Sequence, residues 1–333
     1  IVEDYGFAYH ALSTLSYYDL ITRYQRYFMP DGKQFIDNIT IELLYKFSLF
    51  DRSVQAFILK YSLLIENIVK TKLSHIMAKD FGVNEVAYLS ASKYRESFKL
   101  PNNESLKFSS LAFECKKAII DPKIARDPTL YYHRKHNHIP PWILLKNLSF
   151  NNTISLIKLL RNKQQNRIIN ELVPFPQVRL RDKTNFVFCS LGAIRLFHDF
   201  AACTLDFTTL YTYEINHLSS TILSKLLDDR YLIKSENNRI PLTEKAFSRG
   251  LYGVMLSMLV YLKGSHLVGE FITDFLYLFK DFNDSDSADK ERLFKYYSDI
   301  ANMPADTPMR LQSYLSQYKQ ANNDSQVLPL KRI

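Results

Sequence analysis

The chain has 333 residues, of which 47% are hydrophobic and 23% are charged, proportions that are typical of a globular protein and exclude a disordered chain. It carries 43 lysines and arginines against 34 aspartates and glutamates, a net charge of +9, so a polyanion such as RNA is the natural partner. Only 8 glycines and 3 cysteines occur, which disfavours a glycine-rich phosphate loop, excludes a disulfide scaffold and fits a reducing cytoplasm.

Apolar residues recur every three or four positions along most of the chain, and this spacing predicts an all-α protein. In chain order the predicted helices are Phe7 to Phe28, Thr40 to Asp80, Asn102 to Ile120, a helix that begins at Pro141, Thr153 to Leu172, Thr184 to Phe207, Leu218 to Leu227, Thr243 to Leu262, His266 to Phe282, Asp289 to Ala301 and Met309 to Gln320. Unbroken, the second helix would span roughly 60 Å. We expect a kink or break in it near Phe50 to Ser53, where Asp51 and Ser53 compete for backbone hydrogen bonds. A polar loop is predicted from Asp121 to Pro141.

The longest apolar run, Leu251 to Leu262, is well short of the roughly 20 residues that a membrane-spanning helix needs. This run predicts a buried helix, and no membrane partner is expected. The first ten residues, IVEDYGFAYH, lack a basic segment followed by an apolar one, so no secretory signal is expected either. Together with the cysteine content, these observations predict a cytoplasmic protein.

The common sequence signatures of nucleotide and metal chemistry are missing. There is no GxxxxGK[ST], GxGxxG, HExxH or GxSxG motif and no pair of CxxC motifs. ATP or NAD catalysis, zinc proteases, zinc fingers and α/β-hydrolases therefore have no support. The sequence predicts no cofactor.

The densest group of polar and aromatic side chains lies within the predicted loop before Pro141. It comprises Tyr131, Tyr132, Arg134, Lys135 and His136, with further histidines on either side. Tyrosines stack on unpaired bases and the cations contact phosphates, so this group predicts an RNA-binding site. Plain solvated charge is the alternative interpretation. A metal site is not predicted, because no carboxylate is placed to complete one.

A second group lies on the predicted helix from Thr184. Arg195, His198 and Asp199 are three and four positions apart, so they share one helix face, and Cys203 follows one turn later. A nucleophilic cysteine paired with histidine is conceivable on residue types alone, although a lone buried cysteine is commoner. On the second helix, Glu66 and Lys70 have the order of a favourable i,i+4 ion pair. Glu66 is either half of a structural pair or a site carboxylate.

Four segments together resemble the Abi family of bacterial abortive-infection proteins, of the AbiD/AbiF type within the HEPN-like helical superfamily. They are LSTLSYYDLITRYQRYF, the stretch from YKFSLFDRSVQ to IMAKDFG, IPPWILLKNLSFNN and the helix around Arg195. The resemblance covers about the first 215 residues. It implies a HEPN-like helical domain over residues 1–215 and a C-terminal helical extension, residues 216–333, packed on it.

The resemblance also implies defence against phage by arrest of the infected cell, and in some members association with a small non-coding RNA. HEPN ribonucleases cut RNA without metal, using an Arg and a His, usually paired across a dimer or between two repeats. Arg neutralises the developing phosphorane charge and His handles the proton. The family pattern Arg-Asn-x-x-Ala-His overlays His198, Asp199, Ala202 and Cys203, so both key residues are replaced here.

Three hypotheses follow. The leading one is an RNA-binding HEPN-like effector that arrests growth or phage replication. An active metal-independent endoribonuclease with a degenerate motif, using Arg195, His198, Asp199 and Glu66, is the second. The third is a non-enzymatic scaffold that binds a phage protein.

Overall fold

Helices make up most of the chain in the computed structural model, which describes residues 4–121, 123–203, 219–227, 232–237, 239–263, 266–280 and 287–326. Within these ranges the one sheet is a two-stranded hairpin, so the predicted all-α class is confirmed. Two compact units divide the chain, one formed by residues 1–61 and 196–333 and the other by residues 62–195. The predicted boundary between residues 215 and 216 lies outside the described residues and stays a prediction.

The helices are, in chain order, α1 Tyr5–Thr14, α2 Tyr17–Leu20, α3 Gln25–Phe28, α4 Ile41–Phe81, α5 Glu85–Tyr88, α6 Phe108–Ile120, α7 Thr129–His136, α8 Pro141–Asn147, α9 Phe150–Leu159, α10 Asn162–Leu172, α11 Leu180–Ala202, α12 Ser220–Leu226, α13 Leu242–Phe247, α14 Leu251–Leu262, α15 Leu267–Lys280, α16 Ser287–Ala301 and α17 Thr307–Gln326. Short 3-10 turns cover Thr22–Tyr24 and Ala91–Lys93. Strands β1, Ser97–Lys99, and β2, Ser105–Lys107, pair antiparallel, with Phe98 opposite Leu106.

The unit of residues 62–195 is built around α6, which packs against α7, α8 and α9. The β-hairpin lies on α9 and on the start of α6. Tyr94, which precedes the hairpin, stacks on Phe108 at a ring-centroid distance of 4.2 Å. Both rings are buried, so this stack joins the hairpin to the core and fixes where α6 begins.

The other unit has α14 at its centre, and all twelve residues of this helix are buried, as the sequence predicts. Helix α14 packs against α12, α13 and α15, and α15 packs against α17. The C-terminal helices also contact the N-terminal segment: Phe271 packs on Phe57 at 4.8 Å between ring centroids. Among the described residues, no helix is long and apolar enough to cross a membrane.

A break near Phe50 to Ser53 is wrong, because α4 runs unbroken from Ile41 to Phe81. A kink in this helix stays a prediction. Asp51 is fully buried and accepts hydrogen bonds from Gln55 Nε2 at 2.9 Å and from the Tyr297 hydroxyl at 3.1 Å. Ser53 Oγ donates to the Leu49 carbonyl at 3.0 Å, a bond that a helix tolerates. The two side chains therefore leave the helical backbone bonds intact.

The predicted single helix from Phe7 to Phe28 is also wrong, since the chain forms three short helices and a 3-10 turn there. The hydroxyls of Ser13 and Thr14 donate to the His10 carbonyl at 2.8 and 2.9 Å. The Ser16 hydroxyl then accepts from the Asp19 backbone N–H at 3.2 Å and caps α2. Local side-chain bonds thus end one helix and start the next.

Three other predicted helices begin late or split. The helix predicted from Asn102 begins at Phe108, because Asn103 adopts a positive φ of 64° and reverses the chain into the hairpin. The helix predicted from Thr153 to Leu172 divides into α9 and α10, where the Leu159 carbonyl accepts from the Arg95 backbone N–H at 2.8 Å. The helix predicted from Thr243 to Leu262 divides into α13 and α14. The helix predicted from Thr184 to Phe207 corresponds to α11, which ends at Ala202. Residues 204–218 lie outside the described ones.

Candidate nucleic-acid interface

The predicted polar loop from Asp121 to Pro141 contains the helix α7, so the RNA-binding residues predicted from the sequence lie on a helix and not in a loop. Asp127 Oδ1 accepts from the Tyr131 backbone N–H at 3.1 Å in the first turn. At the other end Asn137 takes the left-handed conformation, with φ of 50°, and its N–H donates to the His133 carbonyl. Side-chain capping at the start and an αL residue at the end allow a helix of only eight residues.

Helix α7 brings three of the predicted residues together as a cluster of rings. Tyr132 and His136 lie 5.0 Å apart between centroids, and Tyr131 lies 6.0 Å from Tyr132. His138 extends the cluster at 6.3 Å from His136. Tyr131 is 52% exposed, so its ring offers a stacking surface that solvent, or an unpaired base, can reach.

The cations Arg134 and Lys135 are exposed beside this ring cluster. Within the part of the chain that the structure describes, neither forms an ion pair. Both stand in the last turn of α7, where positive charge interacts favourably with the helix dipole by ~0.3–1 kcal/mol. The dipole gives a structural reason for these cations, and their exposure leaves them available to phosphates.

The residues after α7 are anchored to the core. The Tyr88 hydroxyl donates to the Ile139 carbonyl at 2.5 Å, and Glu85 Oε2 accepts from the Ile139 backbone N–H at 3.1 Å. Ile139 itself is fully buried. Helix α8 then begins at Pro141, as predicted, with proline in its first turn. The chain that follows α7 is therefore held in place by the core of this unit.

Arg195, His198 and Asp199 lie half-buried on α11. Burial lowers the pKa of Lys158, on α9, and the charge of Arg195 lowers it further, while Cys189 acts in the opposite direction. Burial also raises the pKa of the Cys189 thiol, against the effect of Lys158.

Sequence reasoning did not single out Lys158. The available signal was a single lysine within the otherwise apolar run ISLIKLL that begins at Ile154. Its ammonium lies 5.8 Å from the centroid of the Phe188 ring. A cation in such a position is partly desolvated, so it interacts more strongly with a neighbouring charge than a surface lysine does.

Glu66 pairs with Lys70 at 2.7 Å between Oε1 and Nζ, with the two side chains 14% and 11% exposed. Lys70 also donates to the Leu148 carbonyl at 2.6 Å. The i,i+4 pair predicted from the sequence is therefore formed and is largely buried. The use of Glu66 together with Arg195, His198 and Asp199 as a ribonuclease site stays a prediction.

The three cysteines differ in their surroundings. Cys115 is fully buried, and burial raises the pKa of its thiol to about 12. Cys203, one turn beyond Asp199, is exposed and not a core residue. No group of three histidines, cysteines or acidic residues that could hold a metal ion occurs among the described residues.

The fold and these sites define a basic, all-helical protein with an aromatic and cationic face on α7. The sequence model of one family, described as Abi-like protein, matches residues 10–197, more than half of the chain. The chain therefore belongs to the Abi-like family and is an abortive-infection protein. No match was found among curated proteins or among solved structures.

Proposed function

We propose that this abortive-infection protein is an RNA-binding, HEPN-like effector that arrests growth or phage replication. The observation that carries the proposal is the α7 face, where the exposed ring of Tyr131 lies beside Tyr132 and His136 and next to the cations Arg134 and Lys135. Aromatic rings beside cations are the combination that holds single-stranded RNA. The net charge of +9 adds a general attraction to polyanions.

Binding of labelled single-stranded RNA to filters tests this proposal. The variant Arg134→Gln, Lys135→Gln should weaken binding and lower the slope of log affinity against log salt by about 1.4, because each phosphate contact on single strands contributes about 0.7. The matched control is Lys79→Gln, Arg181→Gln, which removes two exposed cations elsewhere in the same unit. Equal affinities and slopes for both variants would remove α7 from the RNA site.

An active metal-independent ribonuclease is the second candidate, favoured by Arg195, His198 and Asp199, which are half-buried near one another along α11. An arginine can stabilise the charge that develops on a phosphate during cleavage, and a histidine can transfer the proton. Incubation of the purified protein with total RNA in the presence of a chelator, beside the variant Arg195→Ala, His198→Ala, tests it. Cleavage by the wild type alone would establish the activity; equal traces in both samples would indicate contamination.

This function predicts RNA as the partner, and small non-coding RNA is one of the classes to be tested. The predicted assembly is a homodimer. A native mass measurement before and after nuclease treatment reports both the number of chains and any bound RNA. A phage protein in place of RNA would favour the third candidate, a scaffold without catalytic activity.

A further inference from the structure

A groove of about 900 Å³ lies between the β-hairpin and α6. Its lining includes the stacked pair of Tyr94 and Phe108, which are 2% and 5% exposed. Phe113, five residues further along α6, also lines the groove and is 58% exposed. The Lys117 ammonium lies 4.8 Å from the centroid of its ring, which leaves the other ring face for a ligand. An exposed phenylalanine beside buried aromatic rings is a surface on which a planar ligand can stack.

The groove is strongly basic. Lys107, Lys116 and Arg161 line it against a single carboxylate, Glu96, and all four side chains are exposed. None of the three cations forms an ion pair within the described part of the chain. Exposed cations without a carboxylate partner around a concave surface attract phosphates.

The groove and the α7 face both adjoin α6. Phe113 and Lys116 stand on α6, and α7 packs against the same helix. Both sites combine an exposed aromatic ring with exposed lysine or arginine side chains. An acidic peptide would match the charge of the groove but has no general need for an exposed ring, whereas every nucleotide brings both a phosphate and a planar base.

We propose that this groove is a second RNA-binding site, which holds one or two nucleotides of a single strand with a base on Phe113 and phosphates at Lys107, Lys116 and Arg161. The inference rests on the proposed RNA-binding function and adds a separate location to it. The volume lies within the range of ordinary ligand clefts, which restricts the groove to a short piece of the strand.

The first test is the affinity of the full chain for oligouridylate at several salt concentrations. The variant Lys107→Gln, Lys116→Gln, Arg161→Gln should bind at least tenfold more weakly, with a salt slope lower by about 2. Its matched control is Lys46→Gln, Lys79→Gln, Arg181→Gln, three exposed cations outside the groove. Circular dichroism checks that each variant keeps its helical content.

The second test maps the contact itself. Ultraviolet crosslinking of 5-iodouridine oligonucleotide, a probe that reacts with nearby aromatic side chains, should yield a peptide that contains Phe113. The crosslink should disappear in Phe113→Leu and persist in Val86→Ala, which alters another exposed apolar side chain of the same unit. A fully folded Phe113→Leu variant with an unchanged crosslink pattern would overturn the assignment.

The outcomes separate this inference from the proposed function. If the groove variant binds like its control while the α7 variant binds weakly, the groove is excluded and the RNA-binding function stands. If the wild-type chain binds no RNA at any salt concentration, both proposals fail. If a polyglutamate peptide competes as well as oligouridylate of equal charge, the groove belongs to an acidic protein partner and the RNA assignment is overturned.

Discussion

Arg310 and Glu244 form a bidentate ion pair in the unit of residues 1–61 and 196–333, with nitrogen–oxygen distances of 2.8 and 2.9 Å. Both side chains are only 7% exposed. Arg310 also donates to the Leu232 carbonyl and to Asp306 Oδ1. Arg310 of α17 is therefore bonded both to α13 and to the chain before α13. All of these residues follow the part of the chain that matches the family.

Replacement of Arg310 by methionine should destabilise the protein by ~3–5 kcal/mol, because the Glu244 carboxylate would remain buried without its partner. The double variant Arg310→Met, Glu244→Gln should recover part of that loss. Urea denaturation followed by circular dichroism measures both. The control is Arg179→Met, which breaks an ion pair with Asp182 whose arginine is 84% exposed and should change stability little. Equal losses for Arg310→Met and Arg179→Met would contradict the argument.

Two glycines should respond in opposite directions to replacement by alanine. A Cβ at Gly250 would lie 2.5 Å from the Ala301 carbonyl oxygen and 2.6 Å from Asn302 Cβ, so Gly250→Ala should destabilise the protein by at least ~1–3 kcal/mol. At Gly192, within α11, a Cβ would meet nothing within 4 Å. Gly192→Ala should stabilise by up to ~1 kcal/mol through helix propensity. Thermal denaturation measures both changes. A raised melting temperature for Gly250→Ala would refute the close approach at Gly250, and a lowered one for Gly192→Ala would refute the open space at Gly192.

Lys158→Met should raise the melting temperature at neutral pH, because burial lowers the pKa of this lysine and the folded state holds its proton less tightly than the unfolded chain does. Between the lowered pKa and the usual value near 10.5, the unfolded chain binds more protons, so wild-type stability rises with pH in that window. The difference in melting temperature between Lys158→Met and the wild type should therefore become smaller at alkaline pH. Lys163→Met, at an exposed position, is the control. A difference in melting temperature that does not change with pH would show that packing of the methionine, and not the charge of Lys158, causes the effect.

The exposed ring of Tyr131 should contribute to RNA binding by stacking. Tyr131→Ala should lose ~1–3 kcal/mol of binding free energy, whereas Tyr131→Phe should keep most of the affinity because the ring remains. Filter binding at constant salt measures both variants. Since the side chain is 52% exposed, neither change should unfold the protein. If the alanine and phenylalanine variants bind alike, stacking at this position is excluded.

The α7 face shows which features of the candidate site could be predicted from the sequence. The residues Tyr131, Tyr132, Arg134, Lys135 and His136 were identifiable by type, because rings and cations next to each other are visible in the sequence. Their arrangement was not, because a loop was predicted where an eight-residue helix forms. The helix depends on Asp127 at its start and Asn137 at its end, and such short capping signals are weak beside a proline.

The groove could not be predicted from the sequence at all. Its residues come from the segment between Leu89 and Glu96, the hairpin, α6 and Arg161, which directly precedes α10. The hairpin itself consists of two three-residue strands, too short to show an alternating pattern. Their position is set by packing on α9 and α6, contacts between residues far apart in the chain.

The all-α class, the buried α14 and the membership of the Abi-like family could all be predicted before folding was considered, because helical periodicity and family motifs are local properties read within a window of residues. Where each helix continues or stops depends instead on contacts formed in the folded chain. Asp51 stays inside the unbroken α4 with Tyr297 as a partner, 246 residues away, while Leu159 ends α9 where its carbonyl accepts from Arg95. Hydrogen-bond partners distant in sequence decide such positions, since a polar group that finds a partner in the folded chain no longer competes with the helix for its backbone bonds.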